Sequence, residues 1–294
     1  MKVPYKYICI IYNPNSTGNS IDNAKDFADE LKKLKVEAEI ELIGTKYAGH
    51  AQKIARTIAK KADSVLIVSS SGDGGYNEVI NGVLAQPNKK VVTHVLASGN
   101  ANDHHEATAK NSNIKSIITQ QPKLIDVIKV ETTIDKKPWT HYAHSYVGIG
   151  ATPIIGRKLT KLKINFFNEK LVVLKELLKF RYVVLRKNDT YIRYSSVVYT
   201  TIDRMSKVMK LSDKASIADG KMELYAVRYR SLWKLVYVLI RAVVIGISET
   251  RRLASDEFST VTKTSIQLDG EVFVIDEKSK VKISCKKQLL KTLI

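Results

Sequence analysis

The segment SVLIVSSSGDGGYNEVINGV, residues 64–83, contains the pattern that decides the fold. It opens with an apolar run at residues 64–69, which predicts a buried strand. A polar loop rich in glycine follows, and apolar residues then recur at helical spacing from Tyr76 to Val83. This order is typical of a phosphate-binding unit, because glycine lets the backbone approach a phosphate and a helix begins with unbonded N–H groups.

Predicted strands and helices alternate over residues 6–97, as they do in a parallel sheet with helices on its faces. Residues 1–124 are therefore expected to form a doubly wound α/β domain. The other predicted elements of this part are strands at 7–12, 36–43 and 91–97 and helices at 24–34 and 51–58.

After about residue 122, β-branched and aromatic residues alternate with polar ones, which predicts a second, strand-rich domain at residues 125–294. Two segments, at about 165–185 and at 232–247, predict helices within it. The last residues of the chain are candidates for packing back on the first domain. The predicted strands are 124–130, 142–149, 191–200, 222–228, 261–268, 271–275 and 280–284.

Composition and charge narrow the class of protein. The 294 residues are 44% hydrophobic and 26% charged, as in a folded globular protein. A net charge of +19 indicates an anionic partner such as nucleic acid, a phospholipid surface or a nucleotide. The two cysteines, Cys9 and Cys285, are too few for a disulfide framework or a four-cysteine zinc site. The N-terminus lacks a signal-peptide pattern and the apolar stretch at 232–247 is too short to span a bilayer, so we expect a cytoplasmic protein.

Polar loops at residues 13–18, 71–78 and 98–103 follow three of the predicted strands. Because the carboxyl ends of parallel strands lie at one edge of a sheet, we expect these loops to meet there. Asp73 would repel a phosphate directly, so we expect it to act through a magnesium ion, a water molecule or backbone turn contacts. Taken alone, Gly72-Asp73-Gly74 is equally compatible with a tight turn that caps a helix.

Short motifs follow one another in a characteristic order along nearly the whole chain. They are Asn13-Pro14-Asn15-Ser16; Thr45 with Gly49-His50-Ala51; Gly72-Asp73-Gly74 with Asn77-Glu78 and Asn81-Gly82; Gly99 with Asn102-Asp103; Leu124-Ile125-Asp126-Val127; Asp219-Gly220 before a strand; and Asp269-Gly270-Glu271. This order resembles that of the diacylglycerol kinase catalytic-domain family. Each motif alone is weak, but their common order is fairly specific.

The resemblance implies an α/β nucleotide-binding domain, a β-sandwich domain that takes the lipid substrate, and a nucleotide site between them. It also implies that the enzyme uses ATP and Mg²⁺. The residues implied in binding ATP are Asn13, Pro14, Asn15, Ser16, Thr17, Thr45, Ser71, Gly72, Asp73, Gly74, Gly75, Tyr76, Asn77, Asn100 and Asp103.

Further roles are implied for residues of the later motifs. Glu271 matches the general base, while Asp73, Asp103 and Asp126 match acidic residues that organise the cleft and its magnesium. A glutamate directly after Asp-Gly also predicts a hairpin turn, and we expect both to hold, with the turn presenting the base. A bound magnesium is implied at a turn where main-chain carbonyls supply two of three ligands, namely Ser216, Asp219 and Lys221.

Three positions depart from the family pattern. The family has Gly-Gly-Asp-Gly-Thr where this chain has Ser71 and Gly75 as the first and last residues, and Gly-Thr where it has Gly99-Asn100. Ser71 adds a side chain at a position of close approach, and Gly75 lacks a hydroxyl group whose hydrogen bond to phosphate is worth about 1 kcal/mol. A weaker affinity for ATP, another phosphate donor and loss of activity therefore stay open.

Residues 158–187 place lysines and arginines beside an apolar stripe. A basic amphipathic helix here suits the surface of an anionic bilayer, but a surface helix packed on the second domain would give the same pattern. The stripe consists of Phe166, Phe167, Leu171, Leu174 and Leu178.

Together these features favour an ATP-dependent kinase that transfers the γ-phosphate to a hydroxyl group of a membrane lipid. Diacylglycerol, with phosphatidic acid as its product, is the default acceptor, and sphingoid bases and other lipid alcohols stay open. We expect peripheral association with an anionic membrane, and the family alone suggests a homodimer. The alternatives are an enzyme of the NAD-kinase type and a degenerate kinase fold that binds nucleotide or lipid. Nucleic-acid binding is not expected, because the sequence contains no recognisable nucleic-acid-binding module.

Overall fold

The structure is a computed structural model that describes residues 1–16, 18–61, 63–86, 90–108, 113–153, 182–205, 209–210, 215–231, 233, 237 and 250–294. The chain divides into two compact units. The first consists of Met1–Ile125 and Gln288–Ile294, and the second of Asp126–Lys287.

The first unit is a parallel sheet with helices. Its strands occur in the order β4-β3-β1-β2, and Thr292, near the end of the chain, pairs in parallel with Thr93 on the other side of β4. The elements are β1 (Tyr7–Tyr12), α1 (Ser20–Lys33), β2 (Glu39–Gly44), α2 (His50–Lys61), β3 (Val65–Ser71), α3 (Asp73–Leu84), β4 (Val91–Ala97), α4 (Asp103–Thr108) and α5 (Ile114–Thr119).

The central strands of this sheet are apolar because both of their faces are covered. Ile8 and Ile10 of β1 and Leu66 of β3 are fully buried, and they pack with Phe27 of α1 and Ile118 of α5. The α/β architecture expected from the strand–helix alternation is confirmed.

The second unit is built almost entirely of antiparallel strands. Its strand order is β16-β15-β7-β9-β8-β14-β17, with β12 paired to β9 and β13, and β5 paired to β6. The strands are β5 (Lys123–Ile134), β6 (Lys137–Ala143), β7 (Tyr146–Gly150), β8 (Val183–Lys187), β9 (Thr190–Thr200), β10 (Arg204–Met205), β11 (Met209–Lys210), β12 (Met222–Arg228), β13 (Arg251–Leu253), β14 (Ser255–Thr260), β15 (Thr264–Leu268), β16 (Glu271–Ile275) and β17 (Lys280–Thr292). The predicted strand-rich character of this part of the chain is confirmed.

Several predicted boundaries were wrong. The run at 142–149 is not one strand, because the chain breaks between β6 and β7 at His144 and Ser145. The helix predicted at about 165–185 is wrong at its end, since Val183–Lys187 pairs with β9 as strand β8. The rest of that helix, including the predicted membrane-facing stripe, lies outside the described residues, as does the helix predicted at 232–247 apart from Trp233 and Tyr237. Within the part of the chain that is described, no helix is both long enough and apolar enough to cross a membrane.

Candidate active site

The loops after β1, β3 and β4 meet at the carboxyl edge of the parallel sheet, as predicted. The Ser16 hydroxyl donates a hydrogen bond to the carbonyl oxygen of Ser98. The hydroxyl groups of Ser70 and Ser98 are 3.0 Å apart, and Ser70 also donates to the Ser20 carbonyl oxygen at 2.8 Å. Asn23 of α1 donates to the Ser98 hydroxyl at 2.8 Å. Small hydroxyl-bearing side chains therefore join the three loops.

The same loops touch through their backbones, which explains the glycines. A Cβ atom on Gly99 would lie 2.3 Å from the Cα of Gly72, and one on Gly18 would lie 2.6 Å from the carbonyl oxygen of Ser98. Both distances are far below ordinary carbon contacts. Glycine is therefore required at these positions by the close approach of one main chain to another.

Helix α3 begins inside the glycine-rich motif. It starts at Asp73, three residues before the predicted start, and its first helical bond runs from the amide of Tyr76 to the carbonyl oxygen of Gly72 at 3.1 Å. The amides of Gly74 and Gly75 precede that bond, and the positive end of the helix dipole lies in the same turn. An anion such as a phosphate group is the favoured ligand of this arrangement.

Asp73 makes backbone contacts. Its two carboxylate oxygens accept hydrogen bonds from the amides of Asp103 and His104, at 3.0 and 3.1 Å. These amides belong to the first turn of α4, where a negative charge is favourable. Of the three modes of action expected for Asp73, the structure contains the backbone contact, which links the loop after β3 to that after β4. Asp103, expected beside the nucleotide, is itself buried.

Tyr76 and Asn77 have buried side chains. The hydroxyl group of Tyr76 is 2.9 Å from the Thr93 hydroxyl and 3.1 Å from that of Thr292, so it joins β4 to the end of the chain. The Asn77 side chain is bonded to Asn81 at 3.1 Å, one turn further along α3. Both residues therefore stabilise the helix that carries the glycine-rich turn.

The remaining residues predicted to bind ATP are placed as follows. Asn15 donates its amide to the Asn13 side chain at 3.0 Å, which forms a turn with Pro14 exposed at its tip. Thr45 is half-buried, and its amide donates to the carbonyl oxygen of Tyr12 at 2.9 Å. Asn100 is exposed. Thr17 lies outside the described residues.

In the second unit, Glu271 follows a two-residue hairpin turn, which confirms the predicted hairpin. Leu268 of β15 pairs with Glu271 of β16, and the turn residues Asp269 and Gly270 have φ angles of +47° and +100°. Positive φ at both positions is the signature of a type I′ turn. The glutamate therefore has a fixed place at the first residue of β16, and it is half-buried.

Asp269 fixes this turn to the break between β6 and β7. Its carboxylate accepts hydrogen bonds from the amides of His144 at 2.6 Å, Ser145 at 3.0 Å and Tyr146 at 2.9 Å. The side chain is fully buried, and the His144 ring nitrogen Nε2 lies 3.3 Å from one of its oxygens. Hydrogen bonds to a buried carboxylate are stronger than those between neutral groups. The sequence did not predict this contact, because Asp269 was identified there only as the first residue of the Asp269-Gly270-Glu271 motif.

Asp126 holds the turn that carries Asp219. Its carboxylate accepts from the Gly220 amide at 2.6 Å, and its own amide donates to the Ile217 carbonyl oxygen at 2.6 Å. Gly220 has a φ of +79°, a conformation that favours glycine.

Burial raises the pKa of the neighbouring Cys285 thiol to about 12, and the charges of Asp126 and Asp219 add to the shift. The thiol therefore stays protonated near neutral pH and is a poor nucleophile.

Both carboxylate oxygens of Asp219, in the turn where the magnesium site is predicted, already have partners in the protein. One carboxylate oxygen of Asp219 accepts the Lys221 amide at 2.9 Å, and the other is paired with the Arg252 guanidinium. Arg252 also contacts Glu223 at 2.8 Å, where the Glu223 side chain is only 3% exposed. A cation therefore already balances these carboxylates. Among the described residues, no three His, Cys, Asp or Glu side chains are grouped so that they could hold a metal.

Two further residues were missed. Glu78 accepts the amides of Gly49 and Ala51 at 2.7 and 3.1 Å, so it braces the start of α2. Its signal in the sequence was its place after Asn77 in the motif. Arg252 had no local signal, because its contact with Glu223 depends on the pairing of β12 with β13.

Comparison with solved structures defines the class of fold. The chain resembles the crystal structure of a candidate diacylglycerol kinase from Bacillus anthracis str. Sterne, with a TM-score of 0.70, 15% identity, and coverage of 98% of this chain and 97% of that one. It also resembles yeast NADH kinase complexed with NADH, with a TM-score of 0.53, 9% identity, and coverage of 98% and 82%. The fold is thus shared with these two structures.

Comparison of sequences places a likeness in the first part of the chain. Residues 7–130 match the model of the diacylglycerol kinase catalytic domain. This stretch, less than half of the 294 residues, is therefore similar to a domain found in a lipid-kinase family of phosphotransferases. A segment of 82 residues is 37% identical to sphingoid long-chain bases kinase 1 of Arabidopsis thaliana, and it covers 28% of this chain and 11% of that protein.

Proposed function

We propose that the protein is an ATP-dependent lipid kinase that transfers the γ-phosphate of ATP to a hydroxyl group of a membrane lipid. One observation carries this proposal: the loops after β1, β3 and β4 meet beside the first turn of α3, within the residues that match the family. A site made of backbone amides, glycines and small hydroxyl groups suits the phosphates of a nucleotide.

The first unit binds the donor in this proposal. The amides of Gly74 and Gly75 and the dipole of α3 stabilise the phosphates, and Gly72 and Gly99 let the loops after β3 and β4 approach each other beside that turn. Magnesium that arrives with ATP neutralises charge on the phosphate groups. Asp73 and Glu78 hold the loops and helices in place through amide contacts.

Glu271 is the general base in this proposal. Its carboxylate takes the proton of the lipid hydroxyl group while that oxygen forms a bond to the γ-phosphorus, and the bond from the γ-phosphorus to the bridging oxygen breaks to release ADP. The type I′ turn and the buried Asp269 fix the backbone of the residue that carries this carboxylate. A general base needs such a fixed position because proton transfer requires hydrogen-bond distances.

Diacylglycerol is the proposed acceptor, with phosphatidic acid as the product, because the matched domain is that of diacylglycerol kinases. A sphingoid base is favoured next by the Arabidopsis relative, and NAD or NADH by the likeness to yeast NADH kinase. The net charge of +19 supports peripheral binding to an anionic membrane in the cytoplasm, and a homodimer remains part of the proposal on family grounds.

The test is transfer of labelled phosphate from ATP and Mg²⁺ to diacylglycerol and a sphingoid base in mixed micelles, and to NAD and NADH in solution. We expect transfer to one lipid, reduced about 100- to 10,000-fold in Glu271→Gln. Glu277→Gln is the matched control, because Glu277 is exposed in the next turn of the same unit. Transfer to NAD or NADH instead would support the soluble-substrate alternative, and binding of ATP without any transfer would support a degenerate kinase.

A further inference from the structure

Ser71 and Gly75 are packed against each other at the start of α3. A Cβ atom on Gly75 would lie 2.6 Å from both the Cβ and the Oγ of Ser71. Rotation of the serine side chain moves Oγ but leaves its Cβ in place, since Cβ is bonded to the backbone. While residue 71 has a side chain, residue 75 therefore has to be glycine.

The Ser71 side chain is fixed in this position. The residue is 4% exposed, and its hydroxyl group lies 2.8 Å from that of Ser69 and donates to the carbonyl oxygen of Gly72 at 3.0 Å. Ser71 is the last residue of β3, so these contacts set where the strand ends and the first turn of α3 begins. A change in this side chain should move that turn.

The side chains allowed at positions 71 and 75 therefore depend on each other. We propose that Ser71 and Gly75 are a compensating pair, and that Ser71 is the residue that positions the first turn of α3 for the nucleotide. This inference rests on the proposed function only in taking ATP as the ligand of that turn.

Two variants separate the steric effect of the Ser71 side chain from the effect of its hydrogen bonds. Gly75→Thr adds a side chain against Ser71, so it should lower stability and weaken ATP binding together. Ser71→Ala keeps the Cβ atom that excludes a side chain from residue 75 but removes the hydroxyl group. It should lower the urea midpoint less than Gly75→Thr does and raise the KM for ATP about 5- to 10-fold, because the hydroxyl contacts that set the first turn of α3 are lost.

The experiment is a cycle of the full chain with Gly75→Thr, Ser71→Gly, the double variant and Ser71→Ala. Urea midpoints, ATP binding by calorimetry and, where transfer occurs, KM and kcat are measured. We expect each single change to raise the Kd or KM for ATP about 10-fold and the double variant to return within about 3-fold of the natural protein, which would establish the compensation. A double variant no better than Gly75→Thr alone would refute the pair.

Restoration of the urea midpoint without restoration of ATP binding, or an unchanged KM in Ser71→Ala, would overturn the positioning role. If the natural protein transfers phosphate to no acceptor, the proposed function fails. The urea and calorimetry cycles still decide the pair in that case, because neither needs turnover.

Discussion

The two units fix their candidate functional groups by opposite means. In the first unit, the loops are close because side chains are absent: Gly72 and Gly99 bring their backbones together at the sheet edge. In the second, the hairpin that carries Glu271 is fixed because one side chain is present, the carboxylate of Asp269 with its three amide donors. Addition of a methyl group should therefore break the first arrangement, and removal of a carboxylate the second.

The largest effect is expected from Asp269→Ala. This change leaves the amides of His144, Ser145 and Tyr146 buried without their acceptor, and each such group costs about 1–3 kcal/mol. We expect a loss of roughly 3–5 kcal/mol in the free energy of unfolding, measured by urea titration, and a fall in kcat because Glu271 loses its fixed backbone.

Asp276→Ala is the matched control for that change. Asp276 accepts a single amide, that of Lys136 at 2.8 Å, in an exposed contact of the same unit. We expect a loss of no more than about 1 kcal/mol and an unchanged kcat. Equal urea midpoints for Asp269→Ala and the natural protein would show that the hairpin does not depend on this carboxylate.

The next effect in size is expected from Gly99→Ala compared with Gly49→Ala. The new methyl group of Gly99→Ala would meet the Gly72 backbone, so one loop has to move. We expect ATP binding to weaken at least about 10-fold, measured by calorimetry. Gly49 has a φ of +84° and open space around its Cα, so alanine there costs only the left-handed conformation, about 1–2 kcal/mol of stability. If Gly49→Ala weakens ATP binding as much as Gly99→Ala does, close backbone approach is not the reason for glycine at this edge.

The same contrast explains what could be read from the sequence. The parallel sheet, the loop edge and the hairpin before Glu271 all come from local patterns of hydrophobicity and turn residues, and these predictions were confirmed. The contacts of Asp269 join residues more than a hundred positions apart, such as Ser145 at a separation of 124, and no local pattern encodes them. For the same reason the break at His144 and Ser145 was predicted as continuous strand.

The start of α3 was misplaced for another reason. The Asp73 carboxylate accepts amides from the first turn of a different helix, α4. The residues around Asp73 therefore contain no local capping pattern that marks the start of α3. The roles predicted for the nucleotide-binding residues and for Glu271 stay predictions, since they depend on a bound ligand.

The smallest of the three effects is expected from Arg252→Gln, and it decides whether the Asp219 turn uses a side chain or a metal as its cation. The change removes the positive group between Asp219 and the nearly buried Glu223. We expect the free energy of unfolding, measured by urea titration, to fall by about 1–2 kcal/mol, less than for a fully buried pair because Arg252 is partly exposed.

Two carboxylates without a cation are oxygen ligands that Mg²⁺ prefers, so the variant should gain thermal stability with Mg²⁺ in the absence of nucleotide, while the natural protein should not. Arg251→Gln, an exposed neighbour on the same strand, should change neither value. A Tm that rises with Mg²⁺ in the natural protein, and no longer does so in Asp219→Asn, would instead establish the magnesium site implied by the family, with Arg252 as the partner that the metal displaces.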